Sequence, residues 1–80
     1  MTRARRPAVS PRPAQIVRAR LAAELTQREA AALLHTTDRV WRQWEAGDYW
    51  MHPAFWELFQ LKARTTYRAE ARRAAADGAR

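Results

Sequence analysis

Apolar residues recur three or four positions apart through most of this 80-residue chain, a period that predicts amphipathic helices rather than strands. The first helix is expected to run from Pro13 or Ala14 to Glu24, because proline is tolerated in the first turn of a helix. The second should begin at Thr26, since a threonine followed three residues later by Glu29 is the sequence pattern of a capping box.

The second half of the chain carries further helical patterns. Thr37 is expected to cap a third helix that runs to about Trp44 or Glu45, and Gly47 should end it. A fourth helix begins at Pro53 and carries two apolar stripes, the second of which predicts an extension or a fifth helix to about residue 76. The stripes comprise Phe55, Leu58, Phe59 and Lys62, and then Trp56, Ala63, Tyr67, Ala71 and Ala74.

The expected core combines small side chains on the second helix with large ones on the third. Ala30, Ala31 and Leu34 face inward by their spacing, and the alanines allow a second helix to cross closely. Trp41 and Trp44 share a face of the third helix and are interpreted as packing residues. The fold class predicted from these patterns is an all-α, compact bundle of four or five helices.

Charge is distributed unevenly along the chain. The net charge is +7, with +6 in residues 1–20, −3 in residues 21–60 and +4 in residues 61–80. A basic protein of this kind fits a polyanionic partner, but the attraction must come largely from the two ends. The absence of cysteine excludes disulfides and thiolate metal sites, and no segment has the length and apolarity of a membrane span.

The composition divides the chain into three parts. Residues 1–13 contain three of the four prolines and four arginines, which predicts either a disordered, solubilising tail or a basic arm along DNA. Residues 14–64 form the predicted folded domain. Residues 65–80 are expected to be a basic helix or a frayed tail.

Two segments carry a family resemblance: Leu25-Thr26-Gln27-Arg28-Glu29-Ala30-Ala31 and Val40-Trp41-Arg42-Gln43-Trp44-Glu45-Ala46-Gly47. Together they resemble the helix-turn-helix of the Cro/phage-repressor (XRE-like) family, with its L-T-Q-x-E-x-A and W-E-x-G patterns. The match covers 23 contiguous residues without a gap, far more than a three-letter motif. The resemblance implies a lambda-repressor-like fold in which the third helix enters a DNA major groove.

The resemblance also implies particular contacts within the domain. In this family an arginine seven residues before the glutamine of the motif pairs with the glutamate of W-E-x-G, and Arg20 and Glu45 occupy those positions. His35 stands where the family usually has a glycine in a left-handed conformation, which histidine tolerates better than most residues. A lone histidine here is interpreted as structural, since no second ligand lies at metal spacing.

Candidate DNA contacts follow from the chemistry of the polar side chains and from the resemblance. Arginine can bond guanine and glutamine can bond adenine through two atoms each, so Arg39 and Gln43, four apart on one face, suit neighbouring base pairs. Asp38 would either accept from a cytosine amine or hold Arg39 in place. Gln27 matches a family glutamine that contacts phosphate and braces the third helix. The candidate base-reading residues are Asp38, Arg39 and Gln43, and the candidate phosphate-binding residues are Thr26, Gln27, Thr37, Arg42, Tyr49 and His52.

The function expected from this reading is sequence-specific binding of double-stranded DNA by a cytoplasmic transcriptional regulator. The resemblance implies an autorepressor that binds a palindromic operator as a homodimer, like the compact regulators of phages and mobile elements, including anti-CRISPR-associated ones. Two alternatives remain: an antitoxin-like protein-interaction module, favoured if Trp50 and Trp56 are exposed, and a nonspecific architectural DNA binder. We expect no catalytic or metal set, no cofactor, no small-molecule ligand and no membrane association.

Overall fold

Four short α-helices follow one another in the computed structural model, which describes residues 8–67. Their bounds are Pro13–Ala22 (α1), Gln27–Leu33 (α2), Asp38–Ala46 (α3) and Pro53–Leu61 (α4), and a π-helical segment, Lys62–Tyr67, continues directly from α4. No strand occurs among these residues, so the all-α fold class is confirmed for them.

The predicted start signals lie where the helices begin. At α2, the Thr26 hydroxyl accepts a hydrogen bond from the Glu29 N–H (3.0 Å), and the Glu29 carboxylate accepts one from the Thr26 N–H (2.9 Å). Thr37 caps α3 by accepting from the Val40 N–H. His52 caps α4 through Nδ1, which accepts from the Ala54 N–H. Each cap satisfies a backbone donor that the helix itself leaves unpaired.

The first three helices end with the same turn. In each turn one residue adopts a left-handed conformation. These residues are Glu24 (φ 60°), His35 (φ 59°) and Gly47 (φ 84°). In each case the N–H of the next residue donates to a carbonyl five residues earlier, the arrangement of a Schellman motif. The left-handed conformation predicted for His35 is therefore confirmed, although only the third of these positions is a glycine.

Large side chains fill the core between these helices. Trp41, Phe59, Ile16 and Met51 are the largest fully buried side chains, and Trp44 is 6% exposed. The Trp41 ring lies 5.0 Å from that of Phe59 and 5.7 Å, edge to face, from that of Trp44. Both tryptophans are thus packing residues, as predicted, and such aromatic contacts add to the area they bury.

The two helices of the predicted helix-turn-helix, α2 and α3, are joined by residues 34–37 and pack directly against each other. Ala30 and Ala31 of α2 are fully buried in the core, where a larger side chain would push the packed helices apart. Lys62 ties the end of α4 to the end of α2, because its Nζ donates to the Leu33 carbonyl over 2.7 Å.

Three boundaries or orientations differ from the prediction. The first helix ends at Ala22 rather than Glu24, because the Schellman turn takes up the last two residues. Phe55, predicted to share one stripe of α4 with Phe59, is 39% exposed, whereas Phe59 is buried. The folded part begins before residue 14, since Ser10 and Pro11 are already buried. Residues 1–7 of the predicted arm and residues 68–80 of the predicted C-terminal extension lie outside the described residues.

Candidate nucleic-acid interface

Glu45, on the inner side of α3, receives hydrogen bonds from three other residues. Arg20 of α1 donates through Nε to Oε2 (2.6 Å) and through Nη2 to Oε1 (3.3 Å). Gln27 of α2 donates through Nε2 to Oε1 (2.8 Å), and the Trp41 indole N–H donates to Oε2 (2.6 Å). One carboxylate therefore joins α1, α2 and α3, and the predicted pairing of Arg20 with Glu45 is present.

The surroundings of Glu45 favour its charged form. Burial on its own would raise the pKa of Glu45, but the hydrogen bonds from Arg20, Gln27 and Trp41, together with the charge of Arg20, outweigh burial and lower the pKa below its ordinary value of 4.5. The Arg20 and Glu45 side chains are 14% and 8% exposed, so neither charge could regain full hydration if its partner were removed.

Two contacts of this cluster were missed by the sequence reasoning. The Trp41 indole N–H donates to Glu45, four residues later in the same helix. Residues at this spacing lie on the same face of a helix, so the sequence contains a signal for this contact. Arg20 also donates through Nη1 to the Leu25 carbonyl over 3.0 Å, which depends on the turn after α1. No sequence pattern indicates that second contact.

The outer side of α3 is polar. Arg39 and Arg42 are exposed, and Asp38 and Gln43 are half-buried. Arg42 forms an ion pair with Asp38 over 2.8 Å, between side chains that are 53% and 44% exposed. Of the two roles expected for Asp38, holding Arg39 in place is not observed, because the carboxylate lies one helical turn from Arg42 and pairs with it instead.

The candidate phosphate-binding residues differ in how their polar atoms are already engaged. Thr26, Thr37 and His52 each use an acceptor atom to cap a helix, which leaves the hydroxyl protons and the His52 Nε2 position for an outside partner. Gln27 already donates one amide N–H to Glu45, so its contact with α3 is internal. Tyr49 is 43% exposed in the loop after α3.

The tryptophans outside α3 do not form an exposed cluster. Trp50 and Trp56 are both half-buried. Exposure of both would favour a protein-interaction module and burial of both would disfavour one, so their half-burial does not distinguish the two functions. Trp56 packs against the core, and its ring stacks with that of Phe59 at 6.4 Å. Met51, beside Trp50 in the chain, is completely buried, as expected for a residue that covers the core.

Within residues 8–67, no group of three or more histidine, cysteine, aspartate or glutamate side chains could hold a metal ion. Over the same residues, none of the helices combines the length and the apolarity needed to cross a bilayer.

Comparison with known proteins gives a partial similarity. No protein-family model matches the chain. A segment of 50 residues, 62% of the chain, is 36% identical to the Type II methyltransferase M.MspI of Moraxella sp. That segment corresponds to 12% of the methyltransferase, so the chain spans only a small part of this relative.

Proposed function

We propose that the protein binds double-stranded DNA in a sequence-specific manner through the outer face of α3. The observation that carries the proposal is the contrast between the two sides of this helix. Trp41, Trp44 and Glu45 are held inside, while Arg39 projects into solvent with no ion-pair partner among the described residues. A free guanidinium on a rigidly held helix suits the two acceptor atoms of guanine.

Gln43 extends the same surface by one helical turn. It lies four residues after Arg39 and is half-buried, so its amide can reach only a partner that approaches α3 closely. Glutamine and arginine at this spacing suit adjacent base pairs in a major groove, which is wide enough to admit a helix. Asp38 adds an acceptor at the start of α3, although its pairing with Arg42 limits how freely it can move.

Phosphate contacts would flank this base-reading surface. The caps of α2 and α3, Thr26 and Thr37, lie at helix N-termini, where backbone dipoles favour an anion. Arg42 and Tyr49 are exposed, and His52 has one ring nitrogen unused by its cap. Because residues 21–60 carry a net charge of −3, much of the phosphate attraction would have to come from the basic segments on either side.

The biological role proposed on this basis is that of a transcriptional regulator, an autorepressor acting in the cytoplasm as a homodimer on a palindromic operator. A single recognition helix covers only a few base pairs, and two-fold symmetry doubles the site. The methyltransferase similarity concerns a small part of that enzyme, so we propose a non-catalytic role for the matching segment in this chain.

Selection of bound sequences from random duplex DNA tests the proposal. A recovered palindrome, bound at least about a thousandfold more tightly than unrelated DNA, is the expected result. Equal affinity for selected and unrelated duplexes would instead identify a nonspecific architectural binder. Absence of binding to any duplex at low salt would contradict both DNA-binding functions.

A further inference from the structure

A shallow trough separates α1 from α4 on a surface that the candidate DNA contacts do not use. It consists of two hollows, of about 240 and 340 Å³, which share Ala19, Ala22 and Gln60 and are therefore continuous. The described residues that line it belong to α1, to Ala23 directly after it, to α4 and to the π-helical segment. The trough is thus independent of α2, α3 and the loop after α3.

The floor of the trough is apolar and largely flat. Small side chains dominate it, with two aromatic rings at one side: Ala19, Ala22, Ala23, Ala63, Trp56 and Phe59. Because alanine side chains are short, the backbone of a partner helix could approach closely over them.

The rim of the trough is positively charged. Arg18 and Arg64 lie on it, both exposed, and neither has an ion-pair partner among residues 8–64. Among the described residues, no carboxylate lines either hollow; Glu57 belongs to the adjoining outer surface of α4. An apolar floor with a basic rim selects for a partner that is apolar along one side and acidic beside it.

We propose that this trough binds an acidic amphipathic helix of a partner protein. A helix with apolar residues three and four positions apart would lay them on the alanine floor, and carboxylates beside them would pair with Arg18 and Arg64. Duplex DNA does not fit, because a phosphate backbone cannot cover an apolar floor. A second copy of the chain fits less well, since a symmetric contact would bring the same arginine rims together.

A charge-swap experiment tests the occupant. The probe is a labelled peptide of about 18 residues, long enough to form a helix, with leucines at helical spacing and glutamates elsewhere. A second peptide carries lysines in place of the glutamates, and binding is followed by fluorescence anisotropy without DNA. The wild-type chain should bind the acidic peptide about tenfold more tightly than the basic one, and the double variant Arg18→Glu/Arg64→Glu should reverse that preference.

A matched control separates the trough from general surface charge. Arg28→Glu changes an exposed arginine of α2 and should leave the preference for the acidic peptide intact. Equal binding of the two peptides to wild type, or the same effect from Arg28→Glu as from the double variant, would overturn the proposal.

A steric pair of variants tests the floor directly. Ala22→Gln fills the trough, whereas Ala32→Gln places the same side chain on an exposed position of α2. Only Ala22→Gln should weaken the acidic peptide, by about tenfold or more. If sedimentation shows that Ala22→Gln instead dissociates a wild-type dimer while peptide binding is unchanged, a second copy occupies the trough and the proposal is wrong. Because DNA is absent, failure of the DNA-binding function does not affect these outcomes.

Discussion

On the inner side of α3, Trp41 is completely buried and Glu45 accepts four hydrogen bonds from three residues. On the outer side, Arg39 is exposed, and the ion pair between Arg42 and Asp38 stays within the helix itself. The inner side connects α3 to the three other helices, through Glu45 to α1 and α2 and through Trp41 to α4, whereas the ion pair of the outer side stays within α3. Substitutions on the inner side should therefore change the stability of the domain, and those on the outer side should change what it binds.

The difference also explains why a charged residue belongs in so small a core. Arg20 and Glu45 would be costly to bury as single charges, but the carboxylate has a donor for each of its oxygens and the guanidinium has a second acceptor at Leu25. Because hydrogen bonds are directional, this cluster can set the orientation of α3 more narrowly than apolar contact alone. The outer face is then presented at a defined angle.

The largest expected effect comes from removing the charge at the centre of the inner side. Glu45→Gln keeps the shape of the side chain but strands the Arg20 guanidinium, and its amide group cannot accept all the donors that now meet there. We expect the free energy of unfolding to fall by about 3 kcal/mol, the lower end of the range for a broken buried pair, because both side chains keep some contact with water. Urea denaturation followed by tryptophan fluorescence measures this loss.

Glu57→Gln is the matched control for that experiment. It makes the same substitution at an exposed position of α4 and should change stability by no more than about 0.5 kcal/mol. Equal losses in the two variants would show that the contacts around Glu45 do not hold α3, and the contrast between the two sides of the helix would fail.

The next largest effect should appear on the outer side, in binding rather than stability. Arg39→Ala should cost about 1–3 kcal/mol on the selected DNA site and relax the choice at one base pair in each half-site. Arg42→Ala should weaken all sequences about equally if Arg42 contacts phosphate, because a phosphate contact carries no base preference. Binding of wild type and both variants to the selected site and to single-base substitutions of it distinguishes the two roles. A wild-type preference ratio in Arg39→Ala would remove Arg39 from the base-reading surface.

Acidification offers a way to weaken the inner side without a substitution. The folded-state pKa of Glu45 is lowered relative to 4.5, so the unfolded chain binds this proton first as the pH falls. The stabilisation from the charged carboxylate is therefore fully present above pH 4.5 and is lost progressively as the pH falls below it, through the folded pKa. Thermal melts of wild type between pH 6 and pH 3 should decline more steeply than those of Glu45→Gln. Parallel slopes would mean that other carboxylates dominate the acid response.

Local patterns predicted the helix starts well, and contacts between helices less well. Thr26 and Glu29 act on each other three residues apart, so their sequence alone determines the capping box. The pair of Arg20 and Glu45 is separated by 25 residues and was predicted only through the family resemblance. Asp38 pairs with Arg42, one helical turn away, rather than with Arg39, the arginine named in one of its two expected roles, because side chains four residues apart lie on the same face of a helix.

The trough between α1 and α4 could not be predicted at all. The trough exists because of the distance in space between α1 and α4, which are more than 30 residues apart in the sequence. The periodicity of either helix carries no information about that distance. The same limit explains Phe55, whose spacing matches a core position although the helix turns it to the edge. Periodicity identifies one side of a helix, and tertiary packing decides how much of that side is covered.

The smallest expected effect comes from the turns that end α1, α2 and α3. It distinguishes whether the turn before α3 or the contacts around Glu45 set the orientation of α3. His35 and Glu24 both adopt a left-handed conformation, in which glycine is free of the strain that a side chain imposes. His35→Gly and Glu24→Gly should each raise the free energy of unfolding by about 0.5 kcal/mol, because relief of strain exceeds the added entropy of the unfolded chain. Gly47→Ala, at φ 84°, should lower the free energy of unfolding by about 1 kcal/mol.

If the Glu45 contacts set the orientation of α3, His35→Gly should also leave the preference among selected DNA sites unchanged. A stabilised His35→Gly variant with altered site preference would show that the turn, rather than the inner side of α3, determines how the outer face is presented.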